Sequence, residues 1–179
     1  MIRRLLIANR GEIAVRIVRA CRELGIESVA VYSDADHSAP HTCAADRAVR
    51  LGPAPPADSY LSIERLLEAA RANACDAVHP GYGFLAESAS FAAACENAGL
   101  VFVGPPARVI AQMGSKIAAR ALMQSAGVPV VPGETPPDQS VDGVRRAVEH
   151  LGRPALIKAS AGGGGRGMRQ VGDGDDLDE

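Results

Sequence analysis

The sequence predicts an α/β fold built on a parallel sheet, with the beginning of a second unit behind it. Three observations predict it. Short apolar runs alternate with stretches of helical period over the first hundred residues, a proline-rich stretch breaks that pattern near residue 130, and a glycine run between two short strands follows.

Leu5-Leu6-Ile7-Ala8 is an apolar run of strand length, and Ile13, Ile17, Ala20, Cys21 and Leu24 follow at i, i+4, i+7, i+8 and i+11, the stripe of an amphipathic helix. Gly25 supplies a left-handed stop, and Ser28-Val29-Ala30-Val31-Tyr32 reads as the next buried strand, so the chain opens with a βαβ unit. Further strands are expected at 48–51, 76–79 and 100–103, with helices at 62–72 and 88–98 between them. Strands separated by helices form a parallel sheet covered on both faces. Gly104-Pro105-Pro106 punctuates the pattern, and helices are expected at 107–113 and 115–125. This places a first domain at 1–104 and a helical extension with linker at 105–132. Residues 128–137 hold four prolines and cannot continue a helix. The second unit, 133–179, then offers a helix at 141–151, a strand at 155–159, glycines at 162–165 and a strand at 168–171. One helix and one hairpin bury little core, so this unit reads as cut short.

Apolar residues make up 47% of the 179 positions and aromatics 3%, so the core is expected to rest on Ala, Val, Leu and Ile rather than on rings. A net charge of -2 gives no overall field to draw in nucleic acid or an anionic membrane, and any phosphate binding must be local. No apolar run approaches the ~18 residues of a membrane helix. Met1-Ile2-Arg3-Arg4 leads into only four apolar residues, too few for a signal peptide, so a cytoplasmic protein is expected. Cys21, Cys43, Cys75 and Cys95 lie 20 or more residues apart, which gives no metal spacing and reads as reduced thiols in or near the core.

The strongest local signal is Lys158-Ala159-Ser160-Ala161-Gly162-Gly163-Gly164-Gly165-Arg166-Gly167-Met168. Each glycine is roughly 0.5–1 kcal/mol worse than alanine in an ordered element, so the four cost about 2–4 kcal/mol to order. A ligand would offset that cost: bare backbone N–H groups can close on phosphate oxygens while Lys158 and Arg166 add positive charge. No Gly-Lys-Ser or Gly-Lys-Thr opens a helix after the glycines, so this is not a Walker loop, and an unliganded hairpin turn is the alternative. Lys116 follows Ser115, a candidate helix cap, and stands in the first turn, where the macrodipole disfavours a cation. Either it is solvated on the surface or a nearby anion removes the penalty.

Asn9-Arg10-Gly11-Glu12 occupies the first strand-to-helix turn but keeps only one glycine of G-x-G-x-x-G. That argues against a dinucleotide, even though Asp34 and Asp36 follow the second strand. His79-Pro80-Gly81-Tyr82-Gly83-Phe84 closes a predicted strand and is either a ligand edge or a rigid turn. Arg19 and Glu23, four apart on the first helix, read as a solvated ion pair worth a few tenths of a kcal/mol.

Ile7-Ala8-Asn9-Arg10-Gly11-Glu12-Ile13-Ala14, His79-Pro80-Gly81-Tyr82-Gly83-Phe84-Leu85, Met113-Gly114-Ser115-Lys116 and Lys158-Ala159-Ser160 with its glycine loop closely resemble the biotin carboxylase family. The resemblance spans nearly the whole chain, and four motifs in this order and spacing are specific where each alone is modest. It implies a Rossmann-like pre-ATP-grasp domain that binds no dinucleotide, followed by the start of an ATP-grasp domain. The implied enzyme is a ligase in which ATP and bicarbonate, with Mg2+, give carboxyphosphate, and the carboxyl group passes to the ureido nitrogen of biotin on a carrier protein. The implied partners are a biotin carboxyl carrier domain, a carboxyltransferase and a second copy in a homodimer.

By match to the family's motifs, Lys116 and Lys158 are its nucleotide-binding lysines, Gly164 and Gly165 its phosphate-covering glycines, and Met168 lines the nucleotide pocket. Arg19 and Glu23 match positions at its dimer contact, and Ala161 stands where some relatives carry another glycine. The family's magnesium-binding glutamates, bicarbonate-binding residues and catalytic arginine follow the glycine loop and are not among these residues. No catalytic residue or metal ligand is therefore assigned, and the 179-residue chain alone is expected to lack bicarbonate-dependent ATP hydrolysis. The alternative reading is a non-catalytic piece that only folds or contacts full-length subunits.

Overall fold

The computed structural model describes residues 1–138, 140–159 and 167–174, in two compact units, Met1–Ala111 and Gln112–Glu179. In the first, β1 (Arg4–Ile7) runs through α1 (Gly11–Leu24) to β2 (Glu27–Ser33). A 3-10 turn at Asp34–Asp36 and the five-residue α2 (Pro40–Ala44) lead to β3 (Arg47–Gly52). A second 3-10 turn at Pro56–Asp58 precedes α3 (Ile63–Ala72), β4 (Ala77–His79), α4 (Ala89–Asn97) and β5 (Val101–Phe102). The sheet order is β3-β2-β1-β4-β5, and every pair is parallel. This is the doubly wound arrangement, in which the chain builds outward from β1 on one side and then returns to build on the other.

Strand alternation divides the core between the two faces. Leu5, Ile7 and Ala77 meet Ala14, Ile17, Val18 and Cys21 of α1. Leu6, Val29, Val31 and Val78 pack on the opposite face with residues of α3 and α4. The few rings are not marginal to this core, as composition suggested. Tyr60 and Phe91 are its largest fully buried side chains, and Phe91 meets Phe102 edge-on at 5.8 Å. Aliphatic residues line the strands, and the rings fill the wider space on the α3–α4 side.

Helix boundaries follow local chemistry. Ser62, Ser88, Ser115 and Ser140 each accept a backbone N–H of the first turn, and Gly25 ends α1 with φ 68°. Cys21, Cys75 and Cys95 are buried, and burial pushes the Cys75 and Cys95 thiols up to about 11. Cys43 departs from expectation and is exposed, because the short α2 presents His41 rather than Cys43 to the interior.

α5 (Ala107–Gly114) crosses the division between the units. The second unit contains α6 (Lys116–Ser125), α7 (Val141–Leu151) and an antiparallel hairpin of β6 (Ala155–Lys158) and β7 (Met168–Val171). No described helix is long and apolar enough to cross a membrane.

Candidate functional site

The order of the sheet reverses between β1 and β4, and the crevice at their carboxyl ends is where an open α/β sheet ordinarily takes a ligand. Asn9 bridges the two strands there. Its Nδ2 donates to the carbonyls of Pro80 and Tyr82, both at 2.7 Å, while its Oδ1 accepts the Arg10 N–H at 2.9 Å. Gly81 must be bare for this approach: its φ is 65°, and a Cβ there would lie 2.8 Å from Asn9 Nδ2. His79 Nδ1 accepts the Gly81 N–H at 3.0 Å, and burial lowers the pKa of the ring. The Tyr82 hydroxyl donates to Glu12 on α1. The two sequence motifs at this edge therefore hold each other, and the His79 segment has the geometry of a rigid turn.

The aspartates after β2 are also occupied internally. Asp34 accepts two hydrogen bonds from Arg50, at 2.7 and 2.8 Å. Asp36 Oδ2 accepts from Tyr60 Oη at 2.7 Å and from Arg10 Nη1 and Ser33 Oγ at 3.0 Å. Burial pushes the Asp36 carboxyl up, but these donors outweigh it and hold the group below the ordinary carboxylate range. Tyr60 is pushed up to about 12 by burial and by its bond to Asp36. The Arg10 guanidinium also lies over the stacked Tyr60 and Phe84 rings, 5.4 and 5.6 Å from their centroids. Nothing in the sequence pattern flagged Tyr60, a single aromatic outside any period.

The second unit brings together three of the residues singled out from sequence. Lys116, Lys158 and Met168 line one groove of about 1010 Å³. Lys158 and Met168 face each other across the hairpin, in register, so their side chains lie on one face. The Ala159 N–H donates to the Gly167 carbonyl at 2.9 Å and closes the base of the loop between the strands. Gly167 takes φ 69° there, and a Cβ would meet that of Ala159 at 3.0 Å. Lys116 is the first residue of α6, and its Nζ donates to the Ala159 carbonyl at 3.2 Å. The ammonium thus leaves the positive end of its helix for the hairpin. Gly164 and Gly165 lie outside the described residues.

Arg19 and Glu23 are both exposed on α1, and among the described residues no ion pair joins them. Among the described residues, no group of three His, Cys, Asp or Glu side chains is gathered to hold a metal ion.

Residues 1–110 match the family described as biotin carboxylase, N-terminal domain, and residues 115–179 match the carbamoyl-phosphate synthase L chain, ATP binding domain. The chain belongs to the biotin carboxylase family. It is 54% identical to biotin carboxylase 1 of Bacillus subtilis (strain 168) over 169 residues, which is 94% of this chain and 38% of that protein. Its fold is similar to that of a biotin carboxylase–β,γ-ATP complex from Campylobacter jejuni, with TM-score 0.92 and 40% identity over 97% of this chain and 39% of that one. It is also similar to the biotin carboxylase domain dimer of Hydrogenobacter thermophilus 2-oxoglutarate carboxylase in complex with MgADP, ADP and bicarbonate. There the TM-score is 0.89 and the identity 47%, over 95% of this chain and 37% of that one. The chain thus spans 38% of the length of the Bacillus relative.

Proposed function

We propose that these residues form the amino-terminal share of a biotin carboxylase, an ATP-dependent ligase that uses bicarbonate to carboxylate biotin on a carrier protein through carboxyphosphate. The observation that carries this is the convergence of Lys116, Lys158 and Met168 on one groove. Two ammonium groups in a single concavity suit the phosphates of a nucleotide, and a thioether beside them suits its apolar base. The chemistry is phosphoryl transfer, so the contribution of these side chains is positioning and charge neutralisation. Lys116 is already held to the Ala159 carbonyl, where the glycine-rich segment begins in the sequence. Magnesium, when bound, would neutralise further phosphate charge, but the described residues supply no ligand set for it.

In this reading the enzyme is cytoplasmic and dimeric, with Arg19 and Glu23 at the contact, and a carboxyltransferase consumes the carboxybiotin. The dimer of the Hydrogenobacter relative supports the dimeric part of this reading. The test is ADP release by the full-length natural protein carrying this sequence, with ATP, magnesium, bicarbonate and free biotin. Release is expected to depend on bicarbonate and to rise with biotin, and release indifferent to both would overturn the proposal. The 179 residues alone are expected to give none, and biotin-stimulated release by them would overturn the assignment of the catalytic residues elsewhere.

A further inference from the structure

The segment between α6 and α7 forms part of the groove wall, from Val130 to Pro136. Pro129, Pro132, Pro136 and Pro137 remove backbone donors from it, so side chains must do much of the work of holding it in place. Three do so visibly. His150 Nδ1 pairs with Glu134 Oε2 at 2.7 Å and Arg146 Nη2 with Asp138 Oδ2 at 3.3 Å, both from α7. From α6, Arg120 Nη2 donates to the Gly133 carbonyl at 2.9 Å. Lys116 and Arg120 are one helical turn apart, and both line the groove. The contact is close: a Cβ on Gly133 would lie 2.5 Å from Arg120 Nη1 and 3.1 Å from Cζ, so the guanidinium end would have to shift.

We propose that Arg120 is a positioning residue of the groove, whose guanidinium on the Gly133 carbonyl sets the spacing between the segment 130–136 and the helix that carries Lys116. Gly133 is the other half of the device, since a Cβ there makes the guanidinium shift from its place on the carbonyl. A lysine at 120 keeps the charge and could still reach the carbonyl, but it lacks the planar fork and should restore only part of the effect. The inference rests on the reading of the groove as a nucleotide site, because only a ligand in the groove makes its width matter to function.

The experiment is a double-mutant cycle in the full-length natural protein carrying this sequence, comparing R120A, R120K, G133A and R120A/G133A, with ADP as the probe. Amide exchange over 130–136 is read in the same samples, and melting confirms that each variant folds. R120A and G133A are each expected to speed exchange in the segment and weaken ADP binding ~5-fold, with the double variant no worse than either single. R120K is expected to recover part of the affinity, and the KM for ATP should rise while kcat holds. Additive losses, or segment exchange unchanged in both single variants, would overturn the role of Arg120. Failure of the unmodified protein to bind ADP is a separate result, which overturns the nucleotide reading before any variant is made.

Discussion

Asn9 binds the carbonyls on either side of Gly81, through one Nδ2 that donates to Pro80 and to Tyr82 at 2.7 Å each. A strand-end amide thereby holds a turn more than seventy residues away in sequence, and ties the segment after β4 to the carboxyl end of β1.

Removing that amide should be costly. Asn9 is only 4% exposed, so Asn9→Ala leaves two carbonyls without their donor, and a loss of about 1–3 kcal/mol is expected. Asn9→Asp should be at least as damaging, since a carboxylate cannot donate. Denaturant unfolding measures the loss, and amide exchange at 81–84 shows whether it is local to the turn. An Asn9→Ala variant as stable as the parent would contradict the assignment.

Acid should weaken the first unit in two windows. His41 is fully buried, its Nε2 is bonded to the Val31 carbonyl at 3.1 Å, and its Nδ1 has no partner among the described residues. Burial lowers its pKa, so below about pH 6.5 the unfolded chain binds a proton that the folded one resists. Its contribution is present above that pH and is lost as pH falls through the depressed folded value. Asp36, also depressed, keeps its contribution down to about pH 4 and loses it below, as the carboxylate protonates. Melting curves from pH 7 to pH 3 should therefore slope twice, with the upper slope shallower in His41→Gln and the lower in Asp36→Asn.

The two groove lysines should separate binding from folding. Lys116 and Lys158 are exposed, so alanine at either should leave the melting temperature nearly unchanged. In the full-length natural protein, each is expected to lower ADP affinity by about 10-fold or more, the size of a lost charge-assisted hydrogen bond. Equal affinity in parent and variants would remove that lysine from the site.

Gly167→Ala places a Cβ at φ 69° and against Ala159, which should cost about 1 kcal/mol and open the base of the hairpin. Faster exchange of the Ala159 N–H would show the opening directly, and unchanged exchange would mean that the turn tolerates the substitution.

The elements that the sequence made legible are those with a long period or a clear signal at the start. Residues 141–151 and 168–171 form the helix and strand read from them, and Ser62, Ser88 and Ser115 mark true helix starts. The path from β2 to β3 was not legible, because α2 has five residues, opens on Pro40 and carries no apolar stripe. The Asp36–Tyr60 bond was equally hidden, since it joins residues from two irregular segments. Lys116 and Lys158 are 42 positions apart, and only the resemblance to a family linked them before the structure placed both along one groove. Arg120 carried no signal, because its partner is a backbone carbonyl and an arginine four residues after a lysine is ordinary on a helix.

The pairing of Lys158 with Met168 has a consequence for how variation at this site should be read. The two side chains sit on opposite arms of one short ribbon, so a substitution that tilts the ribbon displaces charge and thioether together. In a combinatorial library the two positions should behave as a single unit, with strong epistasis between them. A scan of single substitutions would then credit each position with part of its neighbour's contribution.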